Sequence, residues 1–106
     1  MNQTSFLENI AIVLNRPRYP ENIGAAARAM KNMGLGRLIV VNPENFDTFR
    51  ILTLATHAAA DIANSIEVFD DLKKALAQFS YVIGTTARLG DRRQVIASPE
   101  KMAKQL

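Results

Sequence analysis

Apolar residues fall along this chain in short blocks separated by stretches with helical spacing, and the two kinds of segment alternate. Ile10-Ala11-Ile12-Val13-Leu14, bounded by Asn9 and Asn15, is a continuous β-branched-rich run of the sort that forms a buried strand. Arg37-Leu38-Ile39-Val40-Val41 repeats the pattern and stops at Asn42-Pro43, because proline disfavours continuation and gives a ladder no donor. Ile66-Glu67-Val68-Phe69 predicts a short third strand, and Tyr81-Val82-Ile83, ending at Gly84, a fourth. Val95-Ile96-Ala97 is a shorter run that periodicity alone does not assign.

Helices are predicted between these runs. The first spans Ile23 to Met33, with Asn22 placed as its N-cap and Gly34 as a left-handed stop. Ala25, Ala26, Ala27 and Ala29 make it thin enough to lie close to a sheet. Ile51, Leu54, Ala55, Ala58, Ala59 and Ile62 recur at helical spacing and predict a second helix from Phe49 to about Asn64, with Thr53 and Thr56 weakening its early part. Asp70 is placed to cap a third, with Leu72, Ala75, Leu76 and Phe79 on one face, and Ser98-Pro99-Glu100 opens a last one. Alternating strands and helices imply an α/β fold: a mainly parallel sheet flanked by helices, with ligands received at the carboxyl ends of the strands.

At 106 residues, 48% of them hydrophobic, the chain suits a single α/β domain over 1–106. It has no cysteine, which removes disulfides, thiolate metal sites and a cysteine nucleophile, and suits a reducing, cytoplasmic setting. The apolar runs are strand-sized, and Met1 to Glu8 lacks the basic and apolar regions of a signal, so neither membrane insertion nor secretion is expected. A net charge of +3 permits a polyanionic partner. Where that charge lies sharpens the picture. Arg16, Arg18, Arg88, Arg92 and Arg93, five of the thirteen Lys and Arg residues, fall in the loops after the first and fourth strands. Arginine binds phosphate bidentately and stacks on bases, and Tyr19 adds a stacking surface, so a structured nucleic acid is favoured over a neutral metabolite.

The stretch Asn22-Ile23-Gly24-Ala25-Ala26-Ala27-Arg28 carries the most specific chemistry. A glycine in the first turn costs about 1 kcal/mol against alanine, which implies that something approaches the backbone there more closely than a Cβ allows. Arg28 lies four residues on and leans back toward the helix start, where free N–H groups favour anions. Plain structure, a capped helix with an exposed arginine, accounts for the heptapeptide equally well. His57 has no Ser, Cys or second His beside it and reads as structural, as do Met30 and Met33. No phosphate loop or dinucleotide glycine fingerprint is present, which sets aside a nucleotide-binding regulatory domain.

The run Asn9 to Leu14, then Glu21-Asn22-Ile23-Gly24-Ala25-Ala26-Ala27-Arg28-Ala29-Met30-Lys31-Asn32-Met33-Gly34-Leu35, then Leu38-Ile39-Val40-Val41-Asn42-Pro43, closely resembles the opening of SpoU/TrmH-family RNA 2′-O-ribose methyltransferases. Gly84-Thr85-Thr86-Ala87-Arg88 resembles the corresponding loop of the TrmJ-like branch, which acts on tRNA. The resemblance implies a Rossmann-like part of a SPOUT (α/β knot) enzyme that transfers a methyl group from S-adenosylmethionine to an RNA ribose, without a metal, as a homodimer. tRNA is the substrate it favours, with rRNA as the other choice. It makes Arg28 the catalytic residue, supported by Asn22; the placement of charge and polar groups sets Asn15, Arg16, Arg18, Gly24, Arg88, Arg92 and Arg93 against RNA, and Thr85, Thr86 and Ala87 are left to one wall of the cofactor site. A guanidinium is a poor proton acceptor near neutrality. Two roles for Arg28 stay open: a base perturbed by its site, or a cation that holds a phosphate and stabilises a developing alkoxide. The family's later motifs, which build the knot and most of the cofactor pocket, have no counterpart in these residues. The expectation is an N-terminal portion that neither binds the cofactor tightly nor methylates RNA by itself, and a non-catalytic RNA- or phosphate-binding module is the competing reading.

Overall fold

The computed structural model describes residues 9–85 and 94–97, which fall into two compact units divided after Asp70. In the first unit, β1 (Ala11–Asn15), β2 (Arg37–Val41) and β3 (Glu67–Phe69) form a parallel sheet in that order. The register sets Ile12 beside Leu38, Leu14 beside Val40, and Val13 beside Ile39. Alternation therefore sends Ile12, Leu14, Leu38 and Val40 to one face, where they meet the helices. Leu38, Ile39, Val40 and Val41 are all buried, as their unbroken apolar run requires.

Both helical connections pack on that one face. Helix α1 (Pro20–Met33) contributes Ile23, Ala27 and Met30 to the core, and α2 (Thr48–Ala55) contributes Ile51 and Ala55. Gly34 ends α1 with φ 80°, and the N–H of Leu35 returns to the Met30 carbonyl at 2.9 Å, the left-handed stop expected of glycine. Asp47 caps α2 by accepting from the Arg50 N–H at 3.2 Å.

Two boundaries differ from expectation. Helix α1 starts at Pro20, not Ile23: proline at the first position has its φ preset and no N–H to lose, and Tyr19 takes the cap position without a side-chain bond. Asn22 thus lies inside the first turn. The second helix is not continuous either. It breaks at Thr56 (φ 63°), passes through a short 3-10 turn, His57–Ala59, and resumes as α3 (Ala60–Asn64). Thr53 Oγ turns back to the Phe49 carbonyl at 2.8 Å, a bond that competes with regular helix just ahead of the break.

The second unit holds α4 (Leu72–Leu76), capped by Asp71 rather than the expected Asp70, and a two-stranded antiparallel sheet of β4 (Val82–Thr85) and β5 (Gln94–Ala97). The sequence places the fourth strand in the parallel sheet; it pairs instead with the Val95–Ala97 run, Ile83 opposite Ile96. A partner close in sequence closes a short loop, which costs less entropy than a distant one.

Candidate nucleic-acid interface

β1 and β2 end at residues whose backbones turn into the left-handed region: Arg16 with φ 54° and Asn42 with φ 46°. The Arg16 N–H donates to the Val41 carbonyl at 2.6 Å and the Asn42 N–H to that of Phe69 at 2.9 Å, so each strand's exit is tied to the end of its neighbour. Asn42 Nδ2 also donates to the Asp70 carbonyl at 2.9 Å. A third link joins the loops themselves, from the Glu44 N–H to the Pro17 carbonyl at 3.1 Å. The result is a fixed cleft of about 520 Å³ at the carboxyl edge of the sheet, lined by Arg16, Arg18, Asn42, Pro43 and Glu44.

Charge in the cleft is divided. Arg18 Nε lies 3.5 Å from Glu44 Oε2, and its guanidinium stands 6.0 Å from the Tyr19 ring centre. On the adjoining helices Arg50 Nε meets Glu21 Oε2 at 3.3 Å. Among the described residues, Arg18, Arg37 and Arg50 each have a carboxylate partner, whereas Arg16 and Arg28 form no ion pair. Both are exposed, so each offers its planar donor fork to an anion from outside.

The sequence-predicted residues are only partly brought together. Arg16 and Arg18 share the cleft, with Asn15 at the exposed end of β1 beside them. Asn22 and Arg28 are both exposed on α1, yet six helical residues separate them by about 9 Å of rise and about 120° of rotation. They lie on different stripes of the helix. Gly24 is buried, and the close approach expected there comes from the chain itself. A Cβ at Gly24 would run into the backbone carbonyl oxygen of Ile51 and stand 2.7 Å from Leu54 Cβ. This glycine sets the spacing of α1 and α2 and is not a surface for RNA. Thr85 lies in β4, paired with Gln94; Thr86, Ala87, Arg88, Arg92 and Arg93 are outside the described residues.

A cofactor carrying a sulfonium and an adenosine needs enclosure and convergent polar groups. Of the three residues assigned to that role only Thr85 is described, and the cleft carries in Arg16 a cation with no ion pair among the described residues, which disfavours a sulfonium. The described residues therefore do not compose an S-adenosylmethionine pocket. Asn42, Pro43 and Glu44 were not singled out by sequence reasoning. Their signal was the position of their loop at the strands' carboxyl edge, but its meeting with Arg18 depends on β1 and β2 being neighbours.

Comparison with known proteins places this geometry. Residues 9–104 match the model of the SpoU rRNA Methylase family. The chain is 47% identical over 87 residues to a tRNA (cytidine/uridine/adenosine-2′-O-)-methyltransferase TrmJ of Pseudomonas aeruginosa, covering 82% of this chain and 33% of that protein. It is 43% identical over 82 residues to a tRNA (cytidine/uridine-2′-O-)-methyltransferase TrmJ of Salmonella typhimurium, covering 77% and 33%. The crystal structure of TrmJ from Z. mobilis superposes with a TM-score of 0.69 at 36% identity, over 76% of this chain and 36% of that one. The chain spans about a third of the length of these relatives. With the match covering nearly all of its residues, the chain belongs to the SpoU rRNA methylase family.

Proposed function

We propose that the protein is a tRNA 2′-O-ribose methyltransferase of the TrmJ type, and that this chain supplies its RNA-facing portion and its motif arginine. The observation that carries the reading is the state of Arg28, exposed and with no ion pair among the described residues, at the position where the resemblance implies the catalytic arginine. A guanidinium so placed grips the phosphate beside the target ribose and stabilises charge developing on the 2′-oxygen. That electrostatic role is preferred to proton abstraction, because an exposed guanidinium is a donor fork and a poor acceptor. Asn15, Arg16 and Arg18 hold neighbouring phosphates, and Arg88, Arg92 and Arg93 extend the basic surface. Asn22 orients the RNA from the first turn of α1.

S-adenosylmethionine is the proposed methyl donor, with Thr85, Thr86 and Ala87 on one side of it. The proposal includes a homodimer in the cytoplasm and tRNA in preference to rRNA; no helix among the described residues is long and apolar enough to cross a membrane. The polar cleft also supports a second reading, an RNA-binding module without transfer. One experiment separates them. Arg28→Lys in the full-length protein keeps the charge and loses the fork, so transfer to tRNA, read as protection of a phosphodiester from alkaline cleavage, should fall by about 100-fold or more. RNA affinity should change little. Near-normal turnover would remove Arg28 from the chemistry, and RNA binding without methylation by the unmodified full-length protein would leave the module reading.

A further inference from the structure

The cleft contains an acid where a polyanion is to bind. Glu44 belongs to the loop after β2, yet its backbone N–H is fixed to the Pro17 carbonyl at 3.1 Å, which brings it beside Arg18 of the loop after β1. The contact is a single one, Nε to Oε2 at 3.5 Å, between side chains that are 71% and 62% exposed. Paired carboxylate and guanidinium elsewhere in the same sheet look different: Arg37 and Glu67 form a two-bond fork at 2.7 and 3.0 Å. The backbone thus brings the two loops together while the Arg18 contact itself is long and exposed, and such pairs contribute little to stability. Arg16 lines the same cleft without an ion pair to a described residue.

Resting on the proposal that RNA binds this edge, we infer that Glu44 is an internal competitor for the phosphate site made by Arg16 and Arg18. A carboxylate presents two oxygens to a guanidinium much as a phosphate does. With Glu44 on Arg18, the free cleft is partly neutralised; an RNA phosphate entering it displaces the carboxylate and takes the freed donors, with Arg16 as the second arm. The carboxylate then lies beside the phosphate and opposes it. Glu44 therefore lowers the affinity of any RNA that places a phosphate in this site, by a factor common to all of them. It tunes affinity at this edge, remote from the transfer of the methyl group.

Affinity for a labelled RNA stem-loop, titrated at several salt concentrations, tests this with three variants of the full-length protein: Glu44→Gln, Arg16→Ala/Arg18→Ala, and Glu44→Gln/Arg18→Ala. The glutamine keeps the shape and removes the charge, and at a site this exposed the fold should be untouched, as a thermal melt will show. Expected is a gain in affinity of about threefold to tenfold for Glu44→Gln, a steeper fall of affinity with salt as Arg18 releases a further counterion on binding, and loss of most of that gain when Arg18 is also absent. RNAs that place a phosphate in the site should gain alike, so discrimination between the stem-loop and an unstructured RNA of equal length should hold constant. If Arg16→Ala/Arg18→Ala weakens binding while Glu44→Gln leaves it unchanged, the competitor is refuted and the RNA site stands. If Arg16→Ala/Arg18→Ala leaves binding unchanged, RNA lies elsewhere and both fall.

Discussion

The two ends of the β1-β2-β3 sheet use the same chemistry to opposite effect. At the amino end, Arg37 opens β2 and Glu67 opens β3, and the two side chains close on one another as a fork. Their anchors are adjacent strands in fixed register, so the geometry is held by the ladder itself. At the carboxyl end the arginines and the acid sit on loops, the distances are longer and the side chains face water. The difference lies in where the backbone puts a residue, not in its type. A pair anchored on strands satisfies itself, and a pair anchored on loops remains available to a ligand. Energetically the first belongs to the fold and the second to the site.

The strongest test of that division is Gly24, since it sets how closely α1 and α2 approach, and both helices start from the carboxyl edge. Gly→Ala within a helix ordinarily stabilises by up to about 1 kcal/mol. Here the added Cβ meets the Ile51 carbonyl and Leu54, and overpacking of this kind costs about 1–3 kcal/mol. Gly24→Ala should therefore lower stability by about 2 kcal/mol in denaturant titration, and Gly24→Val by more. Because the helix starts move, RNA binding should fall with it. A stabilised Gly24→Ala variant would show that the two helices are not packed as described.

Next in size is the carboxyl edge. Replacing Arg16 and Arg18 together by alanine should leave the melting temperature nearly unchanged, as exposed charges outside a tight pair contribute little. RNA affinity at low salt should drop about tenfold or more, with the slope of log affinity against log salt reduced by about 0.7 for each contact to single-stranded RNA that is lost. Substituting Arg37 should do the reverse, with a modest loss of stability and no change in salt slope. If both ends behaved alike, the division would fail.

Much of this was legible in the chain. The runs Ile10–Leu14 and Arg37–Val41 are too continuous and too β-branched to be anything but strands, and Gly34 marks its own left-handed turn; the expected burial holds for β2 from Leu38 to Val41, whereas β1, at the edge of the sheet, is half-buried. Where reading failed, a nonlocal or competing local term decided. Asn22 is a good cap residue, but Pro20 two positions earlier is a better first residue, and the helix takes the longer option. Gly24 correctly signalled a close neighbour without saying whether it was ligand or helix. In the sequence Glu44 is one acid in the loop after Asn42-Pro43. Only the pairing of β1 with β2, which brings residues twenty-six positions apart to one cleft, gives it a partner. The antiparallel partner of β4 was hidden because Val95-Ile96-Ala97 is too short to carry a period.

The smallest effect is a pH dependence confined to the amino end. The hydrogen bond from Arg37 holds the Glu67 carboxyl below its ordinary range, against a smaller opposing effect of partial burial. A carboxylate depressed in the folded state contributes stability above its unfolded value, and loses it as pH falls through the folded one. The fork should thus be fully effective at neutral pH and weaken from about pH 4.5 downward. Asp61, lowered by its hydrogen bond to Lys31, titrates in the same acid range, so a melt of the unmodified protein mixes the two. Glu67→Gln isolates the first. At pH 7 it should be less stable than the unmodified protein, by under about 1 kcal/mol because both partners of the fork remain partly in water. The gap should shrink as acid protonates Glu67 and removes the carboxylate's charge from the fork, as the glutamine already does. Arg37 itself stays charged throughout, its own shift being upward. Melts of the two proteins from pH 7 to about pH 3 measure the gap directly. A gap that holds constant across that range would mean that the fork gives the sheet no charge-dependent support, and that the amino end is held by the ladder alone.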